Sequence, residues 1–226
     1  MSIFATPVTD EWGTSYQLTT AGYTVLVVAM LVILLVGCAI FGSKKKFSAK
    51  QLTFSAMAIA LAMVTSILKL WDMPMGGSVT LFSMLFIVLI GYWYGLGAGL
   101  TTALAYGILQ LVIDPYIISI PQMLLDYIFA FGALGLSGIF SKSKHGLIKG
   151  YLMGVFGRFV FTTLSGYIFF PTFMPEFFDS AIIYSICYNG AYIGLEAVLT
   201  LILISLPPVS KALGHVKSLA DRKSVV

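Results

Sequence analysis

Seven stretches of this chain are apolar over a length that suits a bilayer: roughly 21–42, 51–70, 79–93, 95–113, 121–140, 149–170 and 181–206. A helix needs about 20 mainly apolar residues to cross about 30 Å of hydrocarbon. The runs are continuous rather than alternating, and bilayer-spanning strands would require a closed barrel. The chain therefore reads as all-α, a polytopic membrane helical bundle; the third run is short and its ends are soft. Composition closes the alternatives. Hydrophobic residues make up 59% of the 226 and charged residues 10%, where a soluble domain carries roughly 25% charged. So few charges cannot cover a soluble fold, and they exclude both a disordered chain and a nucleic-acid binder. Cys38 and Cys187 lie inside apolar runs, which argues against a disulfide framework.

The basic residues order the spans. Lys44, Lys45, Lys46 and Lys50 follow the first span. Lys142, Lys144 and Lys149 lie between the fifth and sixth, and Lys211, Lys217, Arg222 and Lys223 form the tail. Seven spans put all three segments on one side, and basic loops stay in the cytoplasm. The opposite side holds Asp10, Glu11, Asp72, Asp114, Glu176 and Asp179, with Lys69 at a span end where it can snorkel outward. The expected topology has the N-terminus outside and the C-terminus in the cytoplasm. Residues 1–20 contain no Lys or Arg, unlike a signal-peptide leader. Leu35-Val36-Gly37-Cys38 resembles a lipoprotein cleavage box, but it sits late and lacks a basic leader, so cleavage is not expected. Three parts follow: 1–49 with an extra span and a basic loop, 50–206 as the membrane core, and 207–226 as a basic tail. The tail is either an anchor at the anionic leaflet or a solvated end.

The usual catalytic signatures are missing. No G-x-x-x-x-G-K-S/T phosphate loop and no H-E-x-x-H occur. Gly135-Leu136-Ser137-Gly138 resembles the motif of intramembrane serine proteases, but a nucleophilic serine needs a base. The two histidines, His145 and His215, fall in segments expected in the cytoplasm. Small residues that let helices pack closely account for the same motif.

Ionisable residues inside a membrane are costly and by default mark function. Asp126 is five residues into the fifth span, about 7.5 Å along a helix, and Gln122 precedes it on the same face. Arg158 lies near mid-membrane on the sixth span, followed at helical spacing by Thr162, Ser165, Gly166 and Phe169. Ser185, Asn189 and Tyr192 form a polar stripe on the last span, with Tyr184 near its outer end. Trp71, Tyr116, Phe170, Phe173, Phe177 and Phe178 lie in the outer loops. Aromatic faces with a carboxylate suit a flat, cationic organic ligand. Other readings stand beside this one: the aromatics as an interfacial belt, and Asp126 with Arg158 as a structural ion pair.

Five blocks then fall in order: Met73-Pro74-Met75-Gly76-Gly77-Ser78-Val79, Tyr94-Gly95-Leu96-Gly97-Ala98-Gly99-Leu100-Thr101-Thr102, Pro121-Gln122-Met123-Leu124-Leu125-Asp126-Tyr127, Ala133-Leu134-Gly135-Leu136-Ser137-Gly138 and Tyr184-Ser185-Ile186-Cys187-Tyr188-Asn189. Together, over about residues 50–206, they resemble the thiamine-specific S components (ThiT/YuaJ family) of energy-coupling factor (ECF) transporters. The resemblance implies a six-helix core that binds thiamine near its outer face. It implies no enzymatic activity, no cofactor and no metal. The implied partners are a transmembrane T subunit, two cytoplasmic ATPases and membrane lipid, with no nucleic acid. By position, Asp126 matches the family's pocket carboxylate, Tyr127 the tyrosine beside it, Asn189 the polar residue of the last helix, Tyr116 and Tyr184 pocket tyrosines, and Arg158 a basic position.

The departures are specific. The family's histidine one turn after the basic residue is Thr162 here, its ring-stacking aromatic is Phe170, and residues 1–42 lie outside the six-helix core. Ala56 and Ala60, overlapped by Ala58 and Ala62, form small-x-x-x-small pairs that let helices approach. The first pair resembles the family's docking face for the T subunit; packing within the bundle is the alternative. An S component for another vitamin or a thiamine precursor is the second functional reading. An intramembrane enzyme or a purely structural protein is a third, which the sequence serves poorly.

Overall fold

The computed structural model describes residues 3–10, 13–22, 24, 25, 28, 32 and 47–221. Most of the first expected span, the Leu35–Cys38 sequence, Lys44–Lys46, Arg222 and Lys223 lie outside the described residues. Near the N-terminus, β1 (Ala5–Asp10) and β2 (Gly13–Leu18) pair antiparallel, Ala5 opposite Leu18.

The core is a bundle of six helices: α1 (Ala49–Ile67), α2 (Ser83–Tyr94), α3 (Leu96–Ile113), α4 (Ile120–Phe140), α5 (Gly146–Phe169) and α6 (Ala181–Ser205). All but α2 are long and apolar enough to cross a membrane. The multi-pass membrane bundle expected from the apolar runs is the observed architecture. A further helix, α7 (Pro207–Asp221), follows the bundle. The tail is therefore helical, and Lys217 Nζ lies 4.1 Å from the centroid of the Tyr92 ring.

The short third run has a structural cause. At 1.5 Å per residue, the 12 residues of α2 cover only about 18 Å. The helix is apolar all round, with Met84, Leu85, Ile87, Val88, Leu89 and Ile90 all buried, as suits the central member of a bundle. Between α1 and α2 the chain forms an antiparallel hairpin, β3 (Lys69–Asp72) with β4 (Ser78–Thr80). Its turn holds Met75 at φ 63° and Gly76 at φ 85°, a left-handed pair that glycine adopts freely and methionine rarely does. The span expected to run to residue 70 thus stops at Ile67. Lys69 stands in β3, just past the end of α1, its amine 3.1 Å from Asp114 and 3.4 Å from Asp72. Partial burial works to lower the Lys69 pKa, but the hydrogen bond and charge of Asp114, with those of Asp72, outweigh it and hold the amine above its ordinary value.

Helix α4 is irregular. Leu124–Phe129 is a π-turn and Ala133–Phe140 winds as a 3-10 helix. A π-turn widens the helix and turns carbonyls outward. The Tyr127 carbonyl presses into α3 at Gly107, where a Cβ would come within 2.1 Å of it. Ser137, in the protease-like motif, is fully buried and donates to the Val88 carbonyl at 3.1 Å; it packs α4 against α2, as the small-residue reading expects.

Candidate functional site: one cavity beneath the β3–β4 hairpin

Asp126, Tyr127, Gln122, Tyr116, Arg158, Thr162, Phe170, Tyr184 and Asn189, dispersed over 74 positions of sequence, all line one cavity. Asp126 projects from the π-turn six residues into α4, about 9 Å from its start at the helical rise. Gln122 holds it there. The Gln122 Nε2 donates to Asp126 Oδ2 at 2.7 Å and to the Tyr116 carbonyl at 3.1 Å, while its Oε1 accepts from Ile118 N–H at 3.0 Å. An ionised carboxylate has about four acceptor sites, so Asp126 keeps capacity toward the cavity. The Tyr127 hydroxyl is spent on the same loop, accepting from Tyr116 N–H at 2.8 Å and donating to the Asp114 carbonyl at 2.9 Å. Gln122 and Tyr127 thus brace the wall on which Asp126 and Tyr116 stand.

The alternative ion pair does not form. Among the described residues no salt bridge within 4.0 Å joins Asp126 to Arg158. The Arg158 guanidinium lies over the Phe131 ring, 4.4 Å from its centroid, a cation–π arrangement midway along α5. The acid and the base are therefore separate features of the cavity.

Helices α5 and α6 meet through a polar seam. Asn189 Nδ2 donates to the Ser185 carbonyl at 2.9 Å and the Thr162 carbonyl at 3.3 Å, its Oδ1 accepts from the Tyr192 hydroxyl at 2.9 Å, and Ser185 Oγ donates to the Thr163 carbonyl at 2.7 Å. The close approach needs Gly166, where a Cβ would stand 2.2 Å from Ser185 Oγ. Thr162 Oγ1 turns back to the Arg158 and Phe159 carbonyls, both at 3.1 Å, and offers its methyl rather than a donor.

Aromatic rings line the same cavity. Tyr116 and Phe170 stack at 6.1 Å with 20° between planes. Tyr184, Tyr188 and Tyr192, four apart on α6, follow one another at 5.9 and 5.8 Å. Of the other outer aromatics, Trp71, Phe173, Phe177 and Phe178 do not line the cavity. Trp71 is half exposed and Phe177 is 79% exposed, which fits the belt reading.

The hairpin lines the cavity and supplies residues outside the sequence candidates: Met75, Gly76, Gly77 and Ser78. The Tyr188 hydroxyl accepts from Gly77 N–H at 3.0 Å and donates to the Pro74 carbonyl. Tyr188 repeats the four-residue spacing of Tyr184 and Tyr192, the signal that would have found it. Tyr106 and Gln110, paired at 2.6 Å across one turn of α3, also line the cavity; a polar i, i+4 pair in an apolar span is a comparable signal. A buried acid outside the cavity lining, Glu196, lies further along α6 and binds the end of β4.

Known proteins resemble this chain in sequence and fold. The profile of the family described as thiamine transporter protein (Thia_YuaJ) matches residues 52–214. The chain is 36% identical over 166 residues to the thiamine transporter ThiT of Bacillus subtilis (strain 168), covering 67% of this chain and 84% of that protein. The structure of ThiT from Listeria monocytogenes aligns with a TM-score of 0.53 at 22% identity, covering 79% of this chain and 96% of that one; at that identity the likeness speaks for the fold. With the profile spanning α1 to α7, the chain belongs to the thiamine transporter (Thia_YuaJ) family.

Proposed function

We propose that this chain is the substrate-binding membrane subunit of an ECF-type transporter and takes thiamine into the cavity beneath the hairpin. The observation that carries the reading is the cavity itself: the Asp126 carboxylate, set apart from an Asp114 that is paired with Lys69, among the stacked rings of Tyr116 and Phe170 and the tyrosine ladder of α6. Thiamine is a pair of flat rings, one of them a permanent cation. A carboxylate supplies its counter-charge, and aromatic faces attract both a cation and a flat ring. The chain acts by binding and not by catalysis, and energy for uphill uptake comes from two ATPase partners through a T subunit. The basic segments around Lys50, Lys142–Lys149 and the α7 tail support an orientation with these on the cytoplasmic side, which turns the hairpin and cavity outward. Retention of labelled thiamine by the purified chain without partners tests the reading.

The α1 surface supports the docking part. Ala58 and Ala62 are buried in the bundle, whereas Ala56 and Ala60 are exposed. The two overlapping pairs serve opposite sides: one packs the core, the other leaves a smooth strip for a partner helix.

Thr162 bears on the choice of ligand. A histidine one turn past Arg158 would extend a ring from α5 toward the cavity where Thr162 presents a methyl. Ring contacts contribute roughly 0.5–1.5 kcal/mol, so Thr162→His is expected to keep thiamine affinity or tighten it by about two- to tenfold. Titration of the variant checks this. A large loss from a folded variant would favour a different vitamin or a thiamine precursor as the ligand.

A further inference from the structure

Glu196 is 2% exposed, on a helix that crosses the membrane, and outside the cavity lining. Such a residue is expensive to keep unless its partners are fixed. Its partners come from one place. Oε2 accepts from Thr80 N–H at 3.0 Å and Thr80 Oγ1 at 2.7 Å; Oε1 lies 3.3 Å from Met84 N and 3.4 Å from Ser83 Oγ. These groups form the junction between β4 and α2. That junction has no cap of its own: Phe82, before the first turn of α2, stands at φ 63° and gives no side-chain hydrogen bond. The first N–H groups of a helix need an acceptor, and a negative charge there is favourable. Glu196 supplies both from another helix.

Thr80 and Ser83 line the cavity. The same helix α6 holds the hairpin turn through Tyr188 and carries Tyr184, Asn189 and Tyr192 into the cavity. We propose that Glu196 is a positioning residue for the ligand cavity: it clamps the inner end of the β3–β4 hairpin to α6, so that the hairpin and the ligand-facing side of α6 are held as one wall. Tyr188 fixes the turn and Glu196 the root, eight residues further along α6. The role deepens the thiamine-binding reading and rests on it for its effect on affinity. The clamp itself does not.

Glu196→Gln tests the clamp with little change in shape. Donors converge on both carboxylate oxygens, so the amide NH2 must face a donor whichever way it turns. Amide hydrogen exchange of the ligand-free protein is the first readout, because it reports local opening. Exchange is expected to rise over residues 69–84 and to stay at the parent's level in α3, α4 and α5. Thiamine binding is the second: affinity should fall about tenfold, mostly through faster release, on loss of a charged hydrogen-bond set. If the Gln variant does not fold, Thr80→Val and Thr80→Ser replace it, read by exchange alone because Thr80 lines the cavity; the valine variant should show the local rise over residues 69–84 and the serine variant, which keeps the hydroxyl, should exchange as the parent does. Exchange that rises evenly across the bundle with affinity intact in the folded fraction, or valine and serine variants that behave alike, overturns the proposal. A parent chain that binds no thiamine sinks the ligand reading instead, and the exchange pattern still decides the clamp.

Discussion

A chain carrying Ala56→Trp and Ala60→Trp is expected to bind thiamine as the parent does and to support no uptake. Ala56 and Ala60 are exposed on α1, about 10 and 16 Å from its start at the helical rise. Their neighbours Leu52, Met57, Leu61 and Val64 are exposed as well, and α1 reaches the cavity only through Ser66 near its other end. Two indoles on that strip would hold a partner helix away, because close association in a membrane depends on small residues at the contact. The cavity would be untouched. Co-purification with T and ATPase subunits should fail along with uptake. Uptake at the parent's rate would refute the docking role. Loss of binding too would mean that the strip supports the bundle after all, against the exposure of both alanines.

Asp126→Asn should cost thiamine affinity roughly ten- to a hundredfold, since a hydrogen bond or contact with a charged group is worth about 1.5–3 kcal/mol. The substitution keeps the shape. Gln122 Nε2 can still donate to the remaining amide oxygen, so the 116–118 loop that Gln122 also holds should stay in place. What disappears is the negative charge beside the rings. Because Arg158 does not pair with Asp126, the change leaves no ion-pair partner stranded, and a fall in affinity would report on the ligand. An Asn variant that folds and binds as tightly as the parent would make Asp126 a structural residue.

The bundle was legible because its determinants are local. A continuous apolar run is a span whatever it packs against, and the five long helices end within a few residues of the expected limits. Asp126, Arg158 and the stripe on α6 were legible for the complementary reason: a polar group in an apolar run has nowhere to go but inward. Glu196 carries the same signal, set between Leu195 and Ala197, and lies outside the candidates although the rule covers it. The hairpin is different. Leu68, Leu70 and Trp71 continue the apolar run of α1 around Lys69, so hydropathy alone does not mark the stop at Ile67. What stops it is tertiary: the turn is tied to Tyr188 and the root to Glu196, more than 100 residues away. The π-turn that presents Asp126 is equally silent in its own residues, because the space for the displaced Tyr127 carbonyl is made on another helix by Gly107.

The purified chain, in detergent and without partner subunits, titrated with thiamine is the most direct test of the account. Trp71, half exposed on β3 of the hairpin whose turn lines the cavity, serves as the reporter. The account predicts a saturable change in its fluorescence at one thiamine per chain. It also predicts that this change weakens in the Asp126→Asn variant, and that the Ala56→Trp, Ala60→Trp variant, whose added indoles mask the Trp71 signal, still retains labelled thiamine. A folded parent chain that retains no labelled thiamine and shows no saturable response would contradict it.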